Sequence, residues 1–111
     1  MTTLFQGDDE TIAFETTDDS GDPIELSGVG ITWALATSRR ADEPTLEATR
    51  DAGITVIDAA TGRFDVELDS SETATLASRS YYHEVELVDD EGDVTTVFSG
   101  FLSVKPTVVS G

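Results

Sequence analysis

Two aspartate-rich runs, Asp18-Asp19-Ser20-Gly21-Asp22 and Asp89-Asp90-Glu91-Gly92-Asp93, cluster the hard oxygen donors that calcium takes. Neither has the spacing of an EF-hand loop: Gly21 comes too early, and the twelfth position counted from Asp18 is Val29 where that loop needs glutamate. Turn chemistry accounts for both runs more simply, with an aspartate accepting from nearby backbone amides and glycine supplying a positive φ. The run Asp8-Asp9-Glu10 stands just before a strand pattern and reads as a solvated cluster that protects a sheet edge. His83, the only histidine, falls on the apolar face shared by Tyr81, Val85 and Leu87, so it reads as a core or core-margin imidazole ahead of a catalytic base or ligand. A single imidazole cannot build a two-histidine metal site, no motif announces a serine nucleophile, and there is no cysteine for thiol chemistry or thiolate ligation. Carboxylate pairs are so abundant that none is singled out as a glycosidase-like pair. The expectation is a protein that is not an enzyme, with no catalytic residue, metal or cofactor.

Charge narrows the choice of partner. Among 111 residues, 23 acids face 6 bases, for a net charge of −17. Such a surface repels phosphate backbones and anionic lipid, so neither nucleic acid nor a membrane is an expected partner. The acids alternate with Val, Ile, Leu and Phe in strand-like fashion, which favours a folded chain over an acidic disordered one. Lys105 is the only lysine, and the other cations are arginines. In this the chain resembles proteins of extreme halophiles, whose self-repulsion is screened once the Debye length falls to about 3 Å at molar salt. The resemblance implies a high-salt source. Met1-Thr2-Thr3-Leu4-Phe5 has neither the basic start nor the apolar run of a signal peptide, so a soluble chain with no export signal of its own is expected.

The elements that must position these residues are strands. Tyr81 to Val88 and Val94 to Val104 read as a long antiparallel pair joined by the tight turn at Asp89 to Asp93. In the first, Tyr81, His83, Val85 and Leu87 share one face and Glu84 and Glu86 the other; in the second, Val94, Thr96, Phe98, Leu102 and Val104 are placed inward and Val97 and Phe101 outward. Upstream, Thr11 to Thr16 and Gly30 to Ala36 alternate in the same way, and Trp33, the only tryptophan, is the candidate for the centre of the core. Ile24-Glu25-Leu26 reads as a short extended piece and Thr45 to Arg50 as an edge strand. Ile54 to Ile57 and Arg63 to Asp69 form a hairpin across Asp58 to Gly62, and Asp69-Ser70-Ser71-Glu72 caps about two helical turns running to Ala77. Seven or eight short strands in one domain's length of chain predict an all-β antiparallel sandwich with one helical corner, residues 1–106 forming the domain and 107–111 a tail.

The order of these signals resembles a known family. Gly7-Asp8 before a strand, Asp19-Ser20-Gly21-Asp22-Pro23 with Leu26-Ser27-Gly28, Ala59-Ala60-Thr61-Gly62, the strand at Phe64, Val66 and Leu68, and the corner from Ser71 to Leu76 are followed by Tyr81 with His83, Asp89 to Gly92, and Gly100 before Leu102 and Val104. Together they resemble the immunoglobulin-like domains of tailed-virus structural proteins, notably the baseplate upper protein family. The resemblance implies an immunoglobulin-like sandwich that builds a virion by attaching one component to another, located in the virion, in tail, baseplate or capsid. With the acidic surface it implies a tailed virus of a halophilic archaeon. That family carries no catalytic residues, and no receptor-binding or trimerisation segment is expected after the sandwich, a departure from the family that leaves the place in the particle open.

Exposed apolar residues in a charged surface mark contact sites. Val97 and Phe101 on the last strand, and Val108 and Val109 beyond Pro106, are the expected protein interface, with Arg39 and Arg40 able to pair with a neighbour's acids. A β-bulge near Gly100 that turns Phe101 inward is the competing reading. The expected partners are other virion proteins, or further copies in a homo-oligomer or multi-copy assembly. The alternative is a glycan- or receptor-binding module that uses loop aspartates with Tyr82 or Trp33; it requires an exposed aromatic platform.

Overall fold

A computed structural model of the protein describes residues 2–38 and 43–106. Its strands are β1 (Thr2–Phe5), β2 (Glu10–Glu15), β3 (Gly30–Ala36), β4 (Leu46–Arg50), β5 (Gly53–Asp58), β6 (Arg63–Leu68), β7 (Arg79–Val88) and β8 (Val94–Lys105), with one short helix, α1 (Ser70–Ala74). The strands hydrogen-bond in the order β1-β8-β7-β3-β4-β5-β6-β2. The β4–β5 link is parallel and only two residue pairs long, Thr49 with Gly53 and Arg50 with Ile54. There the sheet folds over. Phe14, on the last strand of that order, meets Phe98 of β8 with ring centroids 5.1 Å apart and His83 of β7 at 6.2 Å, contacts a flat sheet forbids. The result is an immunoglobulin-like sandwich, with β1-β8-β7-β3-β4 packed on β5-β6-β2.

Alternation decides what lies between the layers. Ile31, Trp33 and Leu35 of β3, Phe64, Val66 and Leu68 of β6, and Tyr81, Val85 and Leu87 of β7 are all buried. Trp33 is wholly enclosed, and its Nε1–H donates to His83 Nδ1 at 3.1 Å. At the start of β7 the Tyr81 hydroxyl accepts from the Ala77 amide at 3.0 Å and donates to the Ala77 carbonyl at 3.2 Å. This is the tyrosine corner of such sandwiches; two residues on, where antibody domains place the second half of their disulfide, this chain places His83. Gly100, opposite His83 in the β7–β8 register, leaves the Phe98 ring room to lie across it. The sandwich therefore closes its centre with an imidazole among aromatic rings in place of a sulfur bridge.

Several local expectations change. Leu4-Phe5, expected only as a lead, is part of a strand that runs parallel to the end of β8, with Leu4 buried opposite Val104. Ile24 to Leu26 forms no strand: the Leu26 amide donates to Ala59 at 2.9 Å while its side chain fills the core. The helix spans five residues where about two turns were expected. Asp69 caps it, accepting from the Glu72 amide at 2.9 Å while Glu72 returns a bond to the Asp69 amide at 3.1 Å. Gly62, with φ of 72°, ends the β5–β6 hairpin where an added Cβ would stand 2.6 Å from the Thr16 carbonyl oxygen, so only glycine fits.

Candidate protein interface

The aspartate turns are built as turns. Asp18 Oδ1 accepts from the amides of Ser20 and Asp22 at 2.9 and 3.0 Å, and Asp89 Oδ1 does the same for Glu91 and Asp93 at 2.9 Å each. Among the described residues, no three acidic or histidine side chains converge as a metal would need. His83 is buried with Nδ1 occupied by Trp33, and burial pushes its imidazole down to about 4. A neutral imidazole sealed between Phe14, Phe98 and Trp33 has no path to a substrate.

What the molecule offers a partner is determined by one irregularity in β8. Val85 pairs with Phe98 but Glu86 pairs with Thr96, so Val97 is the extra residue of a β-bulge. Below the bulge, from Phe98 to Val104, the strand faces are as expected. Above it they invert: Thr95 sits opposite Leu87 on the inner side, and Val94 and Thr96 sit opposite Val88 and Glu86 on the outer side. Val97, expected outward, is half-buried and packs against the core, because the extra residue rotates its side chain into the layer. Phe101 keeps its expected place. It stays outward and 57% exposed, the bulge lying at Val97 and not at Gly100.

Three of the four exposed large apolar side chains among the described residues share this outer face: Phe5 at 42%, Phe101 at 57% and Val94 at 60%. Phe101 meets the buried Tyr82 ring edge-on, with centroids 5.7 Å apart. Next to Tyr82 runs a groove of about 200 Å³, floored by Thr32, Ala34 and Ala36 of β3 and walled by Glu84 and Glu86 of β7 and Glu47 of β4. The small side chains of β3 leave a valley between the taller rows on either side. Val94 and Phe5 were missed from the sequence. Val97-Phe98, two adjacent apolar residues breaking a strict alternation, was the signal of the bulge that exposes Val94; β1 was too short for a pattern to reveal Phe5.

Arg39, Arg40, Val108 and Val109, the remaining expected interface residues, lie outside the described residues. The aromatic platform that a glycan-binding module requires is missing at the expected positions, since Trp33 is enclosed and Tyr82 is buried.

No protein-family model matches the chain, and no curated protein does. Among solved structures it is similar to the N-terminal domain of ORF48 of phage TP901-1, with a TM-score of 0.63 over 95% of this chain and 84% of that one, at 16% identity. The chain shares the fold of a phage domain. It is also similar to CopC from Methylosinus trichosporium OB3b, with a TM-score of 0.51 over 98% of this chain and 89% of that one, at 14% identity. At these identities the likeness is one of fold. The second neighbour shows that the same sandwich occurs in a protein with no phage in its name, so function has to be argued from the surface.

Proposed function

We propose that this chain is a non-enzymatic structural domain of a tailed-virus particle, of the baseplate upper protein type, which docks to other virion proteins or to further copies through the outer face of β1-β8-β7-β3-β4. The observation that carries the reading is the placement of Phe5, Phe101 and Val94 on one outer face, on a fold shared with the phage domain over 95% of the chain. A solvated surface bearing a charge of −17 has no folding reason to place three of the four exposed large apolar side chains among the described residues on one side. The sequence resemblance to tailed-virus structural proteins supports the same reading, including a location in the virion. The charge extends it to a high-salt source, a haloarchaeal tailed virus, where screening relieves the self-repulsion of the acids.

The test is co-expression of the tagged chain with the products of the genes that flank its own. The expected outcome is recovery of a defined complex with one of those products, lost in the Phe101→Asp variant. A chain that stays alone and monomeric with every such product, and binds immobilised glycans instead, sinks the reading. The high-salt part is checked separately by the melting temperature in about 3 M against about 0.1 M potassium chloride, across which the Debye length falls from ~10 Å to below 3 Å. A marked rise at high salt is expected; a flat response removes the halophilic extension alone.

A further inference from the structure

We infer that the groove on this outer face takes a basic segment of a different chain, one that carries an arginine or lysine between apolar anchors. The inference rests on the docking reading above and fixes the chemistry of the partner. Ala34 pairs with Glu84 of β7 on one side and with Glu47 of β4 on the other, and Thr32 pairs with Glu86. The two carboxylates beside Ala34 thus straddle a residue too small to fill the space between them, with strand backbones about 4.8 Å apart on each side. Among the described residues, none of the Glu47, Glu84 and Glu86 carboxylates has an ion pair or hydrogen bond. A guanidinium laid over Ala34 would reach carboxylates on both walls and donate to each in its own plane.

The same geometry opposes a two-fold pairing of the strand faces themselves. Two faces related by a two-fold axis would set the glutamate rows of β7 and β4 against their own images, and like charges juxtaposed in an interface are strongly unfavourable. Lys105 is the one described cation on this face, and it stands beside Phe5, away from the Glu86 end of the groove. Apolar contacts are available beside the groove at Phe101 with Tyr82 and towards the hairpin end at Val94 with Val88, so the matching partner places its cation between two apolar residues. Closing such a contact excludes salt from the pairs, which keeps their discrimination even where the open surface is screened.

The probe is an octapeptide of alternating arginine and valine, with a glutamate and valine octapeptide as control, titrated into the isotopically labelled protein and followed by amide chemical shifts at about 0.2 M and about 1 M salt. The arginine peptide should shift the amides of Thr32, Ala34, Glu47 and Glu84, and the glutamate peptide should shift none. A Glu47→Gln, Glu84→Gln double variant should bind it at least about fivefold more weakly, while a Glu15→Gln, Glu67→Gln variant on the opposite face should bind unchanged. Shifts spread evenly over both outer faces, or equal binding by the two double variants, overturn the inference. If the protein alone forms a discrete multimer that Phe101→Asp dissociates, the face is homotypic: the basic partner is ruled out while docking itself stands. If Phe101→Asp changes no assembly and the peptide maps elsewhere, both fall.

Discussion

The two outer faces of the sandwich come from the same strand alphabet and end up differently finished. On the β5-β6-β2 side, Arg63 lies 3.3 Å from Glu15, and Glu67 accepts from the Thr55 hydroxyl at 2.9 Å. Its one exposed large apolar residue, Ile57, sits alone at the β5 bulge. On the β1-β8-β7-β3-β4 side, the carboxylates of Glu47, Glu84 and Glu86 have no partner among the described residues, and apolar side chains stand at both ends of the strands. A face whose acids are partly answered within the chain has less to offer a neighbour than one that leaves acids and aromatic carbon open together. The difference is the reason the proposed docking is assigned to this side.

Paired substitutions test that difference most directly. Phe101→Asp should weaken docking by more than about 100-fold, since a charge placed at a desolvated aromatic anchor costs several kcal/mol in binding. Its effect on folding should stay within about 1 kcal/mol, because the side chain is largely in water already. Ile57→Asp should change neither. Light scattering or co-purification reads the first quantity and thermal unfolding the second. Loss of folding by Phe101→Asp would turn the anchor into a core residue, and loss of docking by Ile57→Asp would erase the distinction between the faces.

The layers differ beneath the surface as well. The β1-β8-β7-β3-β4 layer hides His83 on its inner side, its pKa lowered by burial from 6.5 to about 4, whereas the inner side of β5-β6-β2 carries no titratable side chain in the core. Between pH 6.5 and 4 the unfolded chain protonates this imidazole and the folded chain does not. Stability should therefore fall as pH drops through that window, by about 3 kcal/mol in total, and be fully recovered above pH 7. His83→Phe keeps every surface acid, so the difference in pH slope between the two proteins isolates the imidazole. Asp69 acts lower: its carboxyl is held below the ordinary value of 3.8 by the Ser71 hydroxyl and the Glu72 amide, so the stability it contributes is lost only as pH falls below that value. An unchanged slope in His83→Phe would place the histidine outside the sealed core.

Tyr81 supplies a smaller effect on the same layer. Its hydroxyl bonds both the amide and the carbonyl of Ala77, so Tyr81→Phe should cost about 1–2 kcal/mol through the two backbone groups it leaves unmatched, read by urea unfolding. A loss confined to the entry into β7, visible as faster amide exchange at Ala77 to Ser80, would show that the corner fastens this end of the layer.

How far these features were legible in the sequence follows the range of the interactions behind them. Strict alternation revealed β3, β6 and β7 nearly to the residue, because a buried face fixes register locally. Phe101 was legible for the same reason. The bulge was not, because an extra residue in β8 is defined by the strand it pairs with, and inverting the faces above Val97 turned Val94 from an expected core residue into an exposed one. The groove was also hidden: Ala34, Glu47 and Glu84 come from three strands, and only the antiparallel registers of β4, β3 and β7 set them side by side. Sequence alternation reads one strand at a time, and a recognition surface is read across them.

The smallest predicted effect checks the finished face. Arg63 and Glu15 are both more than half exposed, so their ion pair spends side-chain entropy and is screened by salt. Arg63→Gln should cost no more than about 0.5 kcal/mol, and a double-mutant cycle with Glu15→Gln should return a coupling of the same order that vanishes in molar salt. The pair matters less for stability than for what it removes from the surface. With Arg63 replaced, Glu15 joins Asp65 as an unanswered acid beside the shallow hollow at Ala13 and Ile57, a rough copy of the groove across the molecule. If the alternating arginine peptide then begins to bind there, weakly and only at low salt, internal pairing is what silences this side; if it does not, the valley floored by Ala34 contributes shape that charge alone cannot replace.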